Sequence, residues 1–319
     1  MDKSTPTIGV LVLAYGGPNN LDEIEPYLLD VRGGRPTSPE LVAEIREHYR
    51  LIGGRSPILE LTQAQAGALE VALNNTGDGR TYRTYIGMRH WHPYIKQAVE
   101  QITADGIRRV IAIALAPHYS RMSIGAYIKK VEEARAETGA DFDITYIESY
   151  HLHPLYLQAL AERVEDARQR FPSNVRATVP VIFTAHSLPE RILQAQDPYP
   201  TQLMETAQAV ADLVSPVSWR FAYQSAGRSA EPWLGPDAGE VIQELADDGE
   251  KNVLIAPVGF VSDHVEILYD IDVEFQQQAE ALGMRLERTI SLNDNPLFIA
   301  ALADVVRSRV ATEPRTTVK

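Results

Sequence analysis

The sequence contains no cysteine among its 319 residues. This absence excludes disulfide bonds, thiolate nucleophiles, zinc–thiolate sites and iron–sulfur clusters. A metal ion bound by this chain must therefore be held by histidine, aspartate, glutamate, tyrosine or backbone oxygen atoms.

Long hydrophobic runs and an excess of basic residues are also missing. No apolar segment reaches the ~18 residues that a membrane-spanning helix needs, and Met1–Pro6 lacks the basic and apolar stretches of a signal peptide. We therefore expect a cytoplasmic protein without a transmembrane anchor. The 30 basic and 43 acidic residues give a formal charge of −13, which argues against a general nucleic-acid binder. A local basic patch for an anionic small molecule stays possible.

Three common signatures are absent as well. The sequence has no G-x-G-x-x-G dinucleotide fingerprint, no P-loop and no G-x-S-x-G nucleophile elbow. The function must therefore be inferred from other residues.

Short apolar runs alternate with longer amphipathic segments along the chain. Most of the short runs are largely apolar, which is typical of strands buried on both faces of a parallel sheet. The alternation predicts an α/β, doubly wound fold. The predicted strands are Ile8–Ala14, Thr81–Gly87, Val110–Ala116, Phe142–Ile147, Val179–Thr184, Trp219–Gln224, Val253–Val258 and Arg285–Ile290. The predicted helices include Pro39–Leu51, Leu59–Leu73, Trp91–Gln101, Ile124–Glu137, Leu155–Arg170, Thr201–Leu213, Ala238–Leu245, Val265–Ala281 and Pro296–Val310.

The two halves of the chain resemble each other. Ile8–Pro18 and Val179–Pro189 each run from a buried strand into a polar turn that ends in proline. At about 150 residues per domain, we predict two Rossmann-like domains, residues 1–150 and 151–319, although chance similarity between common units is the alternative. The carboxyl ends of both sheets would then face one cleft. The last helix is expected to pack back on the first domain, and Glu313–Lys319 to form a frayed tail.

His186 is the first candidate for chemistry. It follows the predicted strand Val179–Thr184, at the sheet edge where functional groups enter a cleft. A neutral imidazole there can accept a proton or bind a metal ion such as Fe²⁺. The alternative is a structural histidine that is bonded to a backbone group.

Three carboxylates, Glu266, Asp270 and Glu274, form the second candidate. In an α-helix their spacing of four residues drifts only about 40° per step, so they would form one acidic stripe. Like charges at this spacing repel each other unless a cation or a cleft compensates. The stripe therefore indicates a metal-related role, against the alternative of a solvated acidic face.

Polar groups of the first half form the third candidate. Tyr15 follows the first strand, in the place that His186 holds in the second half. Arg32 and Ser56 lie in glycine-bearing loops that can present a guanidinium group and a hydroxyl to carboxylates. Ordinary turns and surface arginines are the alternative.

Six segments together resemble the ferrochelatases, the enzymes that insert Fe²⁺ into a porphyrin in haem synthesis. The segments occur in the family's order and run through nearly the whole chain. They are Leu13–Pro18, Ile52–Pro57, Ala116–Ser120, Thr184–Pro189, Tyr223–Ser225 and Val258–Glu266.

The resemblance implies roles for the second-half residues. His186 and Glu266 are expected to face each other across the porphyrin cleft, to bind the incoming iron and to handle the pyrrole protons. Asp270 and Glu274 match an acidic helix face proposed as a second metal site, for example for Mg²⁺, or as a proton route.

The resemblance also implies a porphyrin pocket in the first half. Tyr15 matches the residue beneath the porphyrin that can ligate iron in the coproporphyrin-using members of the family. His48 and Gly33 depart from the pattern, since some relatives carry arginine there. The positions that match pocket-lining or propionate-binding residues are Arg32, Tyr49, Ser56 and Tyr127.

We therefore expect a coproporphyrin III ferrochelatase that takes ferrous iron as a substrate, releases two protons and holds no iron–sulfur cluster. A monomer is expected because the chain ends soon after the last predicted helix, without the extension that aids dimerisation in other members. Transient contacts with neighbouring enzymes of the haem pathway are expected as well.

Three other functions stay open from the sequence. One is a ferrochelatase for protoporphyrin IX, and another is a porphyrin or metal carrier without catalysis. The third is a metal-dependent hydrolase, which the absence of an H-E-x-x-H motif disfavours.

Overall fold

The computed structural model of the protein describes residues 7–77, 79–214 and 216–311. The predicted tail Glu313–Lys319 and the N-terminal segment Met1–Pro6 lie outside these residues. Of the helices that it describes, none combines the length and the apolar character needed to cross a bilayer.

Two parallel sheets of the same topology form the centre of the molecule. The strands of the first half form a four-stranded sheet in the order second, first, third, fourth, and those of the second half repeat that order. The first sheet contains β1 (Thr7–Ala14), β2 (Thr81–Met88), β3 (Arg109–Ala114) and β4 (Asp143–Ile147). The second contains β5 (Val181–His186), β6 (Trp219–Gln224), β7 (Asn252–Ala256) and β8 (Arg285–Arg288).

Helices cover the faces of both sheets. Those of the first half are α1 (Ile24–Val31), α2 (Pro39–Leu51), α3 (Ile58–Asn74), α4 (Ile95–Ala104) and α5 (Ile124–Thr138). Those that follow are α6 (Pro154–Arg168), α7 (Arg191–Gln194), α8 (Tyr199–Leu213), α9 (Ala238–Asp247), α10 (Val265–Leu268), α11 (Gln276–Ala281) and α12 (Pro296–Ala311). A 3₁₀ turn covers Leu21–Glu23, and a π-helical segment covers Asp270–Phe275.

The predicted fold class is confirmed, and the predicted strand bounds agree with the observed ones to within two residues. The helix predicted to start at Trp91 starts instead at Ile95, because the Gln97 side chain accepts the backbone N–H of Tyr94 at 2.7 Å and fixes the start there. Helix α2 begins as its sequence indicates: the Ser38 hydroxyl accepts the N–H of Leu41, and a proline follows Ser38.

One apolar core joins the two halves. It contains Val10 and Ile111 of the first sheet together with Phe183 and Leu254 of the second, all fully buried. Helix α12, with its buried Phe298, packs on α3 of the first half and on α6. Since the core is continuous, a domain boundary near residue 150 stays a prediction.

Candidate active site

The topology of the sheets places the cleft. In a doubly wound sheet, a ligand binds where the strand order reverses, at the carboxyl ends of the strands. That point lies between β1 and β3 in the first sheet and between β5 and β7 in the second. The segments that follow these four strands line one cavity of about 350 Å³, a size in the range of small-molecule sites.

The cavity has walls from both halves of the chain. Tyr15 and Gly16 follow β1, and Leu115, Ala116 and His118 follow β3. The second half contributes His186 at the end of β5 and the run from Gly259 to Glu266 after β7, of which Asp263 alone does not line the cavity. The other lining residues are Ala14, Tyr27, Tyr49, Ser56, Ile58, Thr62, Arg89, Met122, Ser123, Tyr127, Leu188 and Tyr199.

His186 and Glu266 form a direct pair. The distance from His186 Nε2 to Glu266 Oε1 is 3.4 Å, and about one third of each side chain is exposed. The expectation that the two residues face each other across the cleft is wrong: this distance leaves no room for a macrocycle between them. His186 ends β5, and Glu266 lies in α10, which follows β7. Because β5 and β7 are neighbours in the sheet, both side chains lie on the same wall.

His264 was missed as a site residue from the sequence. Its Nε2 lies 3.5 Å from Glu266 Oε2, so that each carboxylate oxygen of Glu266 has an imidazole beside it. The carbonyl of Ser262 lies 2.9 Å from the other ring nitrogen of His264 and fixes the ring. A histidine two residues before the candidate glutamate, on the loop that follows β7, was the available signal.

Charge pairing controls the protonation of these groups. Burial opposes the charged form of His186, but the neighbouring Glu266 carboxylate outweighs burial and raises the pKa of His186 to about 9. Burial would also raise the pKa of Glu266, yet the two imidazoles, His186 first, hold it well below its ordinary range. The metal-free site is therefore a carboxylate with an imidazolium beside it at neutral pH.

Backbone contacts hold the pair in place. Gln224 donates to the Glu266 carbonyl at 2.7 Å, and the Tyr199 hydroxyl donates to the His186 carbonyl at 3.0 Å. Gly259 packs so closely on Ala185 that an added Cβ would lie 2.4 Å from the Ala185 Cβ. This close approach brings the segment after β7 against the end of β5, where the pair forms.

Tyr15 stands on the wall formed by the first half. Its ring packs on His90, with ring centres 4.7 Å apart, and the Arg89 guanidinium carbon lies 6.0 Å from the ring centre. Burial and then the charge of Glu266 raise the pKa of Tyr15 to about 12. The hydroxyl therefore keeps its proton at neutral pH when no metal is bound.

Four further first-half predictions have different outcomes. Tyr49, Ser56 and Tyr127 line the cavity, whereas Arg32 lies exposed after α1 and outside the lining. Arg89, which the sequence argument missed, places a guanidinium group in the cavity and donates to the Met122 carbonyl at 3.1 Å. Nothing in the sequence distinguished it from other arginines.

The acidic stripe lies on a segment that changes its helix type. The predicted continuous helix Val265–Ala281 is wrong, because the segment is π-helical between α10 and α11. The Glu274 N–H bonds to the Tyr269 carbonyl five residues earlier, at 3.0 Å, as expected of this wider helix, which is frequent at functional sites. Two apolar side chains, Ile267 and Ile271, anchor the segment in the core.

The charges along this segment differ in exposure. Burial and then the charge of Glu266 raise the pKa of Asp270 to about 7, and the Ser225 hydroxyl donates to the Asp270 carboxylate. Glu274 is exposed. Among the described residues, no three histidine, aspartate or glutamate side chains are grouped closely enough to hold a metal ion, so the predicted Mg²⁺ site has no support.

Known proteins match the chain over nearly its whole length. Residues 7–310 match the family described as Ferrochelatase. A ferrochelatase from Deinococcus radiodurans is 49% identical over 306 residues, which cover 95% of this chain and 96% of that protein. A coproporphyrin III ferrochelatase from Geobacillus kaustophilus is 43% identical over 308 residues, or 96% and 97% of the two chains.

The fold has solved counterparts. SirB from Bacillus subtilis, solved with Fe³⁺, aligns with a TM-score of 0.59 at 13% identity over 96% of each chain. At this identity the likeness concerns the fold alone. The identity to the curated relatives carries the assignment: the chain belongs to the ferrochelatase family, whose members insert iron into a porphyrin in haem synthesis.

Proposed function

We propose that this protein inserts Fe²⁺ into coproporphyrin III to give coprohaem, with His186 and Glu266 as its catalytic residues. The observation that carries this proposal is the cavity with Tyr15 on one wall and the His186–Glu266 pair on the other. The 43% identity to a coproporphyrin III ferrochelatase supports the choice of porphyrin.

The cleft supplies the strain that metal insertion needs. A free porphyrin is flat and holds two N–H protons at its centre. A cavity that fits a distorted ring exposes the pyrrole lone pairs, and contacts to the rest of the macrocycle hold the distortion. Tyr15 from one half and the pair from the other would then lie on opposite faces of the ring.

His186 and Glu266 receive the iron and then the protons. Fe²⁺ repels the imidazolium proton, so binding of iron by the pair releases that proton. When iron moves into the ring, the freed imidazole accepts one pyrrole proton and Glu266 or a water molecule accepts the other. One Fe²⁺ enters and two protons leave the porphyrin.

The acidic stripe provides a route by which these protons leave the cleft for the solvent. Asp270, with its pKa near neutrality, lies between Glu266 in the cleft and the exposed Glu274. A carboxyl group that gains and loses a proton near pH 7 transfers protons in both directions at low cost. We assign the stripe to proton release.

We propose further that the protein acts as a monomer. The cavity walls come from both halves of one chain, so the site needs no residue from a second copy.

The test is iron insertion under anaerobic conditions with two porphyrins in parallel. We expect a higher kcat/KM with coproporphyrin III than with protoporphyrin IX. A preference for protoporphyrin IX would overturn the choice of substrate and leave the catalytic pair in place. Binding of either porphyrin without metal-dependent turnover would identify a carrier and overturn the enzymatic proposal.

A further inference from the structure

Two side-chain contacts join α2 of the first half to the second half beside the cleft. The Arg228 guanidinium forms a two-pronged ion pair with the Glu44 carboxylate, one contact of which measures 2.8 Å. One turn further along α2, the ring of His48 stacks on the ring of Tyr269 with 3.6 Å between centres. Neither contact is used by the chemistry described above.

Both contacts lie next to groups of the active site. Tyr49, the neighbour of His48 on α2, lines the cavity. On the other side, Gly227 packs against the Trp233 ring, whose centre lies 6.5 Å from that of His186. Arg228 is therefore linked to His186 through Gly227 and Trp233, and it does not itself line the cavity.

The ion pair is easy to exchange. The Arg228 side chain is 67% exposed and that of Glu44 37% exposed. Such surface pairs contribute little to stability, because water competes for both partners. A carboxylate that a bound molecule brings to the same place can replace Glu44 at little cost.

We propose that Arg228 is a specificity-determining residue that releases Glu44 and binds a peripheral carboxylate of the porphyrin. The inference rests on the proposed function, since coproporphyrin III carries four propionates and protoporphyrin IX carries two. A guanidinium group matches a carboxylate with two parallel hydrogen bonds. A chain of net charge −13 needs such local cations to hold a polyanionic substrate.

The role of Glu44 gives the proposal its distinguishing feature. Glu44 competes with the substrate for Arg228. Replacing Glu44 and replacing Arg228 should therefore have opposite effects on porphyrin binding. If the pair only braces the two halves, both substitutions remove the same contact and their effects have the same sign.

The experiment measures the Kd of metal-free coproporphyrin III by porphyrin fluorescence, without iron. Arg228→Gln should weaken binding by about fivefold, the equivalent of about 1 kcal/mol, and Arg228→Lys should weaken it less. Glu44→Gln should tighten binding by up to about fivefold. With protoporphyrin IX the Arg228→Gln effect should be smaller.

Arg220→Gln is the matched control. It makes the same charge change, but Arg220 pairs with Glu244 and Asp248 within the second half. It is the second residue of β6 and lies towards the end of the sheet opposite the cleft. Its Kd should equal that of the wild type.

Equal signs for Arg228→Gln and Glu44→Gln, or no change in either variant, would overturn the inference. Absence of coproporphyrin III binding by the wild type would overturn it too. Binding with the predicted signs but without iron insertion would contradict the proposed function and leave Arg228 as a porphyrin-binding residue.

Discussion

The protonation state of the His186 side chain depends on the Glu266 carboxylate beside it. Its high pKa comes from the Glu266 carboxylate, against the effect of burial. A base that carries a proton in the resting enzyme accepts another only after losing the first. Iron binding, which expels that proton, therefore prepares His186 for its role in the proposed reaction.

Replacing Glu266 with glutamine should lower the pKa of His186 from about 9 to below its ordinary value of about 6.5. The carboxylate that favours the imidazolium is lost, and burial then favours the neutral ring. NMR titration of the imidazole nitrogens measures this pKa. His153, which pairs with Asp304 at 3.1 Å, is the internal control. An unchanged His186 titration would contradict the proposed coupling.

Replacing Tyr15 with phenylalanine should remove a phenolate-to-iron absorption band from the ferric coprohaem complex. Tyr15 lines the cavity. Its oxygen can therefore ligate iron once the metal displaces the phenol proton. Absorption spectra of both proteins with bound ferric coprohaem measure the band. Identical spectra would show that Tyr15 does not ligate the iron.

At the scale of elements, the segment after β7 depends on a glycine. Gly259→Ala would place a Cβ 2.4 Å from that of Ala185, which should destabilise the protein by about 1–3 kcal/mol through overpacking. Gly67→Ala in α3 meets nothing within 4 Å and should stabilise it by up to about 1 kcal/mol. Urea unfolding measures both free energies, and equal effects would contradict the close approach.

The central strands could be predicted from the sequence because β1, β3 and β5 are almost continuous buried runs. The π-helical segment could not, since its buried apolar residues Ile271 and Phe275 also suit an α-helix and the difference lies in backbone hydrogen bonds. Helix α1 was missed for a different reason. Only Ile24 and Tyr27 of its eight residues are buried, which is too few to form a clear amphipathic period.

The site could be predicted only in part. His186 ends β5 and Glu266 lies in α10, on the segment after β7, and the carboxyl edge of the sheet is where topology places functional groups. Their 3.4 Å contact and the second imidazole at His264 depend on which strands are neighbours, and sequence order does not state this. The position of Arg89 in the cavity depends on how loops from different parts of the chain pack together, which the sequence does not state.

At the scale of the whole molecule, buried polar contacts help to join the halves. The buried Gln65 of α3 donates to the Ser262 hydroxyl at 2.9 Å. The Nε2 atom of His118, which follows β3, lies 2.8 Å from the hydroxyl of Thr206 in α8. Burial lowers the pKa of His118 to about 3, so the ring stays neutral in the folded protein.

This neutral histidine should make stability depend on pH. Between the ordinary pKa of about 6.5 and the folded value of about 3, the unfolded chain binds a proton that the folded chain does not. The free energy of unfolding should therefore fall with decreasing pH by up to about 1.4 kcal/mol per unit. Urea unfolding of the wild type and His118→Gln at pH 7.5, 6 and 5 should show a shallower decrease in the variant. Parallel decreases would contradict the assignment.

The most direct test of the account is the rate of iron insertion into coproporphyrin III by His186→Ala. The variant should fold and bind porphyrin as the wild type does, because the His186 side chain lines an open cavity rather than the core. We predict a loss of at least ~100-fold in kcat, the scale of general-base catalysis. A rate close to that of the wild type would contradict the assignment of the His186–Glu266 pair as the catalytic centre.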